Sequence, residues 1–262
     1  MMPKLLWLPL AFLVAYAAVC ALLFFRQQQL IYFPASTRVP PGQTDFALPR
    51  GDVVLRGWVV RPGQARAIVY FGGNGESVQH NRALFERWLP GHTVYLVAYR
   101  GYGASDGMPS HQALRGDALP LFDHVQARHQ RHPVSLVGRS LGGAIASHVA
   151  SQRRIGGLVL VTPFDSLAAV AQSHYPWLPV RWLLRERHEP IRDLAVYHGP
   201  LLIVRAGKDE IVPPAHTDRL IEALPQQPQV IAIPEATHNA LDEVAFGAAL
   251  ADFFTSGAQR AP

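Results

Sequence analysis

A single cysteine, Cys20, in 262 residues excludes an intramolecular disulfide and a Cys-rich structural zinc site. Its neighbours, Ala17-Ala18-Val19, put Val19 where a bacterial lipoprotein signal carries a small residue, so lipidation at Cys20 is not expected. Basic runs interleaved with aromatics are also missing. The formal charge of +5, from 24 basic and 19 acidic side chains, therefore carries no nucleic-acid footprint and suits an anionic lipid surface instead. No internal repeat or low-complexity tract is visible. Neither a Gly-Lys-Ser/Thr nor a G-x-G-x-x-G follows any strand pattern, which argues against phosphate or dinucleotide binding and for chemistry without a cofactor.

Charge is absent altogether from Leu5 to Phe25, between Lys4 and Arg26. At about 1.5 Å per helical residue this run reaches about 30 Å, the thickness of a bilayer's hydrocarbon core. It is apolar on every face, unlike a surface helix with a polar stripe. A cleaved signal peptide is the rival reading, with Ala15-Tyr16-Ala17 as its cleavage site. Because the apolar run continues to Phe25, residues 1–27 are read as an uncleaved single-pass anchor and residues 28–262 as one globular domain. The side of the membrane stays open: Arg26, Arg38 and Arg50 mildly favour a cytoplasmic domain, yet many short anchors carry a domain across.

After a Pro-rich stretch from Pro34 to Gly42, short apolar runs alternate with helical patterns, the signature of an α/β fold with a mostly parallel sheet and helices on both faces. Strands are expected at Asp45–Leu48, Val53–Val60, Ala67–Phe71, Thr93–Ala98, Val134–Gly138, Gly157–Val161, Leu201–Ala206 and Val230–Ile233. The first two form a hairpin around Arg50-Gly51. Helices are expected at Val78–Trp88, Gln112–Arg128, Leu141–Gln152, Pro214–Ala223 and Asn239–Phe254, with Ser110 and Asn239 as N-caps and Pro213-Pro214 at a helix start. Residues 166–198, with Tyr175-Pro176-Trp177 and Trp182, break the rhythm. They read as an inserted helical cap whose aromatics line an apolar pocket or simply pack on the sheet.

A Ser hydroxyl is a weak nucleophile at neutral pH and needs a tight turn, a base and oxyanion donors. Gly138-Arg139-Ser140-Leu141-Gly142, between a buried strand and a helix, fits the G-x-S-x-G elbow. A second match, Gly103-Ala104-Ser105-Asp106-Gly107, lacks the immediate helix an elbow requires, because Pro109 and Ser110 delay it. Ser105 is therefore assigned to a glycine-rich loop. Asp209 follows the strand ending at Ala206, and His238 follows the last strand, as the order Ser, acid, His demands. Glu210 and Asp165 remain rival acids. His124, His129 and His132 have no accompanying Cys or carboxylate pattern and are not read as metal ligands. The loop Phe71-Gly72-Gly73-Asn74-Gly75 lets backbone approach a ligand, which makes the amides of Asn74 and Leu141 the expected oxyanion donors.

With these motifs in view the chain resembles the alpha/beta-hydrolase superfamily. It resembles most the single-pass, Bem46-like serine hydrolases, a group similar in turn to eukaryotic protein depalmitoylases of this fold. The likeness spans about residues 28–255 and rests on the segments beginning at Phe71, Tyr99 and Gly138, on Asp209 with Ile211-Val212-Pro213, and on His238-Asn239. Gly72 stands where many relatives have His, and Arg205-Ala206-Gly207 replaces their usual His-Gly. The resemblance implies an eight-stranded alpha/beta-hydrolase fold and makes the Arg100–Ser105 loop structural. It fixes no substrate, since one such site serves esterases, thioesterases, lipases and peptidases. The expected function is hydrolysis of a carboxylic ester or thioester, small or lipid-borne, at a membrane. A serine aminopeptidase and a non-catalytic membrane-tethered binding protein are the alternatives.

Overall fold

A computed structural model describes residues 7–240 and 243–256. The uncharged N-terminal run is one helix, α1 (Trp7–Ile31), long and apolar enough to cross a membrane by length and composition. Residues 1–6 of the expected anchor lie outside the described residues, and the helix continues four residues beyond 27.

Eight strands form one sheet in the order β1-β2-β4-β3-β5-β6-β7-β8. At one edge β1 (Phe46–Arg50) and β2 (Val53–Val60) make the expected antiparallel hairpin. The register of β1 starts at Phe46 and runs on to the turn, where Arg50 faces Val53, while Asp45 just before it donates its amide to Gly57 O and its carboxylate accepts from the Val59 amide. The first strand therefore sits slightly later than 45–48. The other six strands, β3 (Arg66–Phe71), β4 (His92–Val97), β5 (Ser135–Arg139), β6 (Leu158–Val161), β7 (Leu201–Ala206) and β8 (Gln229–Ile233), are mutually parallel. Those at the centre are almost continuously apolar and buried, as both faces of a parallel sheet must be when helices cover them.

The segment expected as one helix over 78–88 opens with a 3-10 turn, Val78–Asn81, before α2 (Arg82–Trp88). The Asn81 side-chain amide donates to Glu76, holding that turn to the preceding loop. α3 (His111–Arg128) is capped by Ser110, whose hydroxyl accepts from the Ala113 amide. α4 (Leu141–Gln152) follows β5 directly. The stretch 166–198 holds three short helices, α5 (Leu167–His174), α6 (Val180–Leu183) and α7 (Pro190–Leu194), and α8 (Pro214–Glu222) starts with proline in its first turn.

The last helix, α9, is described over Glu243–Ser256. Residues 241 and 242, inside the helix expected from Asn239, lie outside the described residues. Asn239 uses its side-chain oxygen to accept from Arg139. α2 and α9 pack one face of the sheet through Phe85, Phe246, Leu250 and Phe253, and α3, α4, α7 and α8 pack the other through Leu121, Ile145, Leu194 and Leu220. The parallel run β5-β6-β7-β8 brings four strand C-termini to one edge, the place where loops of an open α/β sheet converge.

Candidate active site

Ser140 sits between the end of β5 and the start of α4 with φ 50° and ψ −114°. A non-glycine residue in this region carries backbone strain, so the surrounding structure must hold it there. Two contacts do so: the Ser140 amide donates to Val161 O at 2.8 Å, and its carbonyl accepts from the Gly143 amide at 2.8 Å. The glycines of the motif are sterically required. A Cβ on Gly142 would lie 2.0 Å from Phe71 O, and one on Gly138 would lie 2.4 Å from Gly142 O. Helix and strand thus approach to backbone contact around the serine. Leu141 is the first residue of α4, where an amide has no intrahelical partner.

The Ser140 Oγ lies 3.0 Å from His238 Nε2, and His238 Nδ1 lies 2.7 Å from Asp209 Oδ2. A carboxylate at Nδ1 fixes the tautomer: Nδ1–H donates to Asp209, leaving the Nε2 lone pair toward the hydroxyl. The other Asp209 oxygen accepts from the Ile211 and Val212 amides at 3.0 and 2.7 Å, so the carboxylate is held from both sides. Asp209 and His238 are 6% and 5% exposed, which keeps water from competing for this chain of bonds. Gly207 lets their two loops touch, since a Cβ there would meet Pro234 O at 2.2 Å.

The rival residues lie elsewhere. Ser105 is fully buried; its hydroxyl donates to Ala98 O and accepts from the Arg56 amide, so it fastens a loop to the sheet. Asp165 binds His216 Nδ1 at 2.8 Å and Arg219 Nε at 2.8 Å. Burial works against its charge, but the bonds from Arg219, His216 and the Ser166 amide outweigh that and hold its carboxyl below the usual range. Glu210 is exposed. His124 stacks edge-on against Phe46, and His129 meets the Tyr95 hydroxyl at 3.1 Å.

Asn74 occupies the turn after β3, and its side chain is clamped: it donates to Ile31 O, and its oxygen accepts from Tyr102 Oη at 2.7 Å and from the Phe33 amide at 3.3 Å. The residue expected to offer its amide to an oxyanion is therefore tied to the segment just past α1.

Two residues of this neighbourhood were not singled out in the sequence. Glu76 accepts from the Gly73 amide, the Tyr70 hydroxyl and Asn81, which orders the glycine loop. Arg139 approaches Glu76 to 3.5 Å and donates to His238 O and Asn239 Oδ1. Arg139 occupies the variable position before the serine in the motif, and Glu76 follows the glycines, so only spacing could have drawn attention to either.

Residues 63–192 match the family described as serine aminopeptidase, S33. Over 250 residues the chain is 36% identical to the uncharacterized protein Rv2307c of Mycobacterium tuberculosis, the match covering 88% of each. The chain belongs to the alpha/beta-hydrolase superfamily. This hydrolase is also 34% identical over 157 residues to the uncharacterized membrane protein YNL320W of Saccharomyces cerevisiae, which covers 57% of this chain and 55% of the yeast protein. Among solved structures, Est1E from Butyrivibrio proteoclasticus, bound to ferulic acid, superposes with a TM-score of 0.69 over 82% of the hydrolase and 100% of its own chain, at 16% identity, a likeness of fold alone.

Proposed function

We propose that this hydrolase cleaves carboxylic ester or thioester bonds at a membrane, with Ser140 as nucleophile, His238 as base and acid, and Asp209 as the carboxylate that orients the imidazole. The observation that carries the reading is the Ser140 Oγ to His238 Nε2 distance of 3.0 Å, on a serine whose φ is 50°. The Pyrococcus furiosus esterase Pf2001, which superposes on this chain with a TM-score of 0.63, lends support from the fold side. The α1 helix and the yeast relative named a membrane protein support the membrane setting.

In this mechanism Ser140 Oγ attacks the acyl carbon as its proton passes to His238 Nε2, and the imidazolium is stabilised by Asp209. The oxyanion takes bonds from the amides of Asn74 and Leu141. His238 then gives the proton to the departing alcohol or thiol, leaving Ser140 acylated. A water deprotonated by the same nitrogen attacks the acyl group, releases the acid and restores the hydroxyl.

The full chain, purified in detergent, should label with a fluorophosphonate and hydrolyse short p-nitrophenyl esters, and Ser140→Ala should remove both. Equal labelling of the Ala variant would refute the assignment. The aminopeptidase alternative has one observation in its favour, the description of the matching family; it predicts faster turnover of aminoacyl amides than of acyl esters.

A further inference from the structure

The cap does not stand clear of α1. Along the helix the partly or fully buried residues are Tyr16, Cys20, Leu23, Phe24, Gln27 and Ile31, a stripe at helical spacing, while every described residue before Tyr16 is exposed. Two contacts calibrate the depth of the cap against this helix. At the far end, Gln27 is buried and its side-chain oxygen accepts from the Arg185 and Glu186 amides at 2.7 and 3.2 Å, while the Arg185 guanidinium lies 5.3 Å from the Phe24 ring centroid. Nearer the N-terminus, the Tyr16 hydroxyl donates to Trp177 O at 2.8 Å. Tyr16 and Gln27 are about 16 Å apart along a helix axis.

The apolar run ends at Arg26, so the headgroup level falls beside Gln27 and Arg185. Trp177 then lies roughly half a hydrocarbon core deeper. The lipid-facing side of α1 carries Val19, Leu22 and Phe25, all exposed, which a shallower placement would leave in water.

We propose that the cap segment Tyr175–Leu183 is immersed in the membrane leaflet that holds α1, with Trp177 among the acyl chains, Trp182 at the interface, and Arg181, Arg185 and Arg187 against lipid phosphates. This rests on the reading of α1 as a membrane anchor. Trp182 and Trp177 are 87% and 60% exposed, and Tyr175 beside them is half-exposed. Trp182 fits the aromatic belt of a membrane boundary and the arginines fit anionic headgroups, while the depth of Trp177 follows from its bond to Tyr16.

The carbonyls from Tyr175 to Leu178 are provided with donors inside the protein, as irregular main chain in an apolar medium requires of its polar groups. The two hydrogens of the Gln172 side-chain amide reach the carbonyls of Tyr175 and Leu178 at 3.1 and 2.9 Å, with Pro176 O at 3.4 Å, and Tyr16 donates to Trp177 O. Pro176 and Pro179 have no amide hydrogen to satisfy. The same insertion sends α5 back over the candidate site, where Val170 packs with Ala144 and Val212. Seating the cap in the leaflet would hold the candidate site close to the membrane surface, where an acyl ester resident in the bilayer is concentrated.

Cys20 is the one cysteine in the sequence, so a Cys20→Ser background allows single labels on the full chain. With an NBD fluorophore at Trp177→Cys, Trp182→Cys or Gln130→Cys in nanodiscs containing anionic lipid, the label at 130 should be reduced by dithionite at the aqueous rate. Labels at 177 and 182 should be protected at least tenfold. Nitroxides deep in the acyl chain should quench 177 more than 182, and nitroxides near the glycerol should reverse that order. Aqueous-rate reduction at 177 overturns the proposal, as does the opposite depth order.

Trp177→Ser with Trp182→Ser should cut hydrolysis of a vesicle-embedded long-chain ester at least tenfold and leave a dissolved short ester within twofold. Equal loss on both esters counts against the proposal. Absence of turnover in the parent chain defeats the ester-hydrolase reading alone, because the depth measurement stands without it.

Discussion

Arg139 Nη2 donates to the main-chain oxygen of His238 at 3.1 Å, so the residue beside the candidate nucleophile holds the loop that carries the candidate base. The same guanidinium approaches Glu76 Oε1 to 3.5 Å, and Glu76 in turn binds the Gly73 amide next to Asn74. One side chain thus spans the histidine loop and the glycine loop. Arg139→Ala should lower kcat roughly tenfold or more, on the scale of a lost charge-assisted bond, with KM changing less. Arg139→Lys should recover part of the loss through Glu76. Steady-state kinetics on a short ester measures both, and an unchanged kcat in Arg139→Ala would show that the loops hold their places without it.

The two carboxylates that competed in the sequence should separate cleanly by experiment. Asp209→Asn removes the charge that fixes the His238 tautomer and should cost on the order of 10³–10⁴ in kcat while fluorophosphonate labelling slows in parallel. Asp165→Asn touches only His216, Arg219 and the Ser166 amide. It should leave kcat within a few-fold and lower unfolding stability by about 1–3 kcal/mol, since it weakens a buried charged network. The reverse pattern would make Asp165 the acid.

Packing around the elbow gives a third outcome. Gly142→Ala drives a methyl toward Phe71 O and Gly72 O, both main-chain atoms that cannot swing aside. Overpacking of this kind costs at least about 2–3 kcal/mol and displaces α4 from β3, so a lower melting temperature should accompany loss of labelling at Ser140. Gly116→Ala, where a Cβ meets nothing within 4 Å, is the matched control and should be neutral or stabilising.

How far this was legible in the sequence depends on how local each signal is. The Ser140 elbow is a five-residue pattern flanked by a strand and a helix, and the order of Asp209 and His238 follows from strand positions, so both could be read directly. The central strands were found within a residue or so because unbroken apolar runs have no other use in a soluble layer. α2 starts later than periodicity predicts because its 3-10 turn is held by Glu76 meeting Asn81, a contact between side chains that no periodicity encodes. The role of Arg139 is not legible locally for the same reason, since its partners are 63 and 99 residues away in sequence. The seating of Tyr16 on Trp177 spans 161 residues and gives a helix that reads as uniformly apolar a face packed on protein.

The buried cluster between α1 and the cap holds a histidine that resists protonation in the fold. His188 is fully buried, and desolvation, with His111 and Arg115 nearby, lowers its pKa to about 3. The Tyr32 hydroxyl donates to Glu186 at 2.8 Å and lies 2.9 Å from His188 Nε2, so Nε2 carries the hydrogen and Nδ1 faces His111 Nδ1 at 3.4 Å. Asp193, the carboxylate that opposes the downward shift, is itself held by Arg115 through two bonds.

A histidine with a folded pKa below its unfolded value is neutral in both states above about pH 6.5 and contributes nothing there. As pH falls below that point the unfolded chain takes up a proton that the folded chain refuses, so stability declines by up to about 1.4 kcal/mol per pH unit toward pH 3. Chemical denaturation between pH 7 and 4 should show this slope in the parent chain and a shallower one in His188→Gln, which keeps a donor toward Tyr32 but cannot be protonated. Parallel slopes for the two proteins would mean that His188 takes up its proton in the fold over the same pH range as in the unfolded chain.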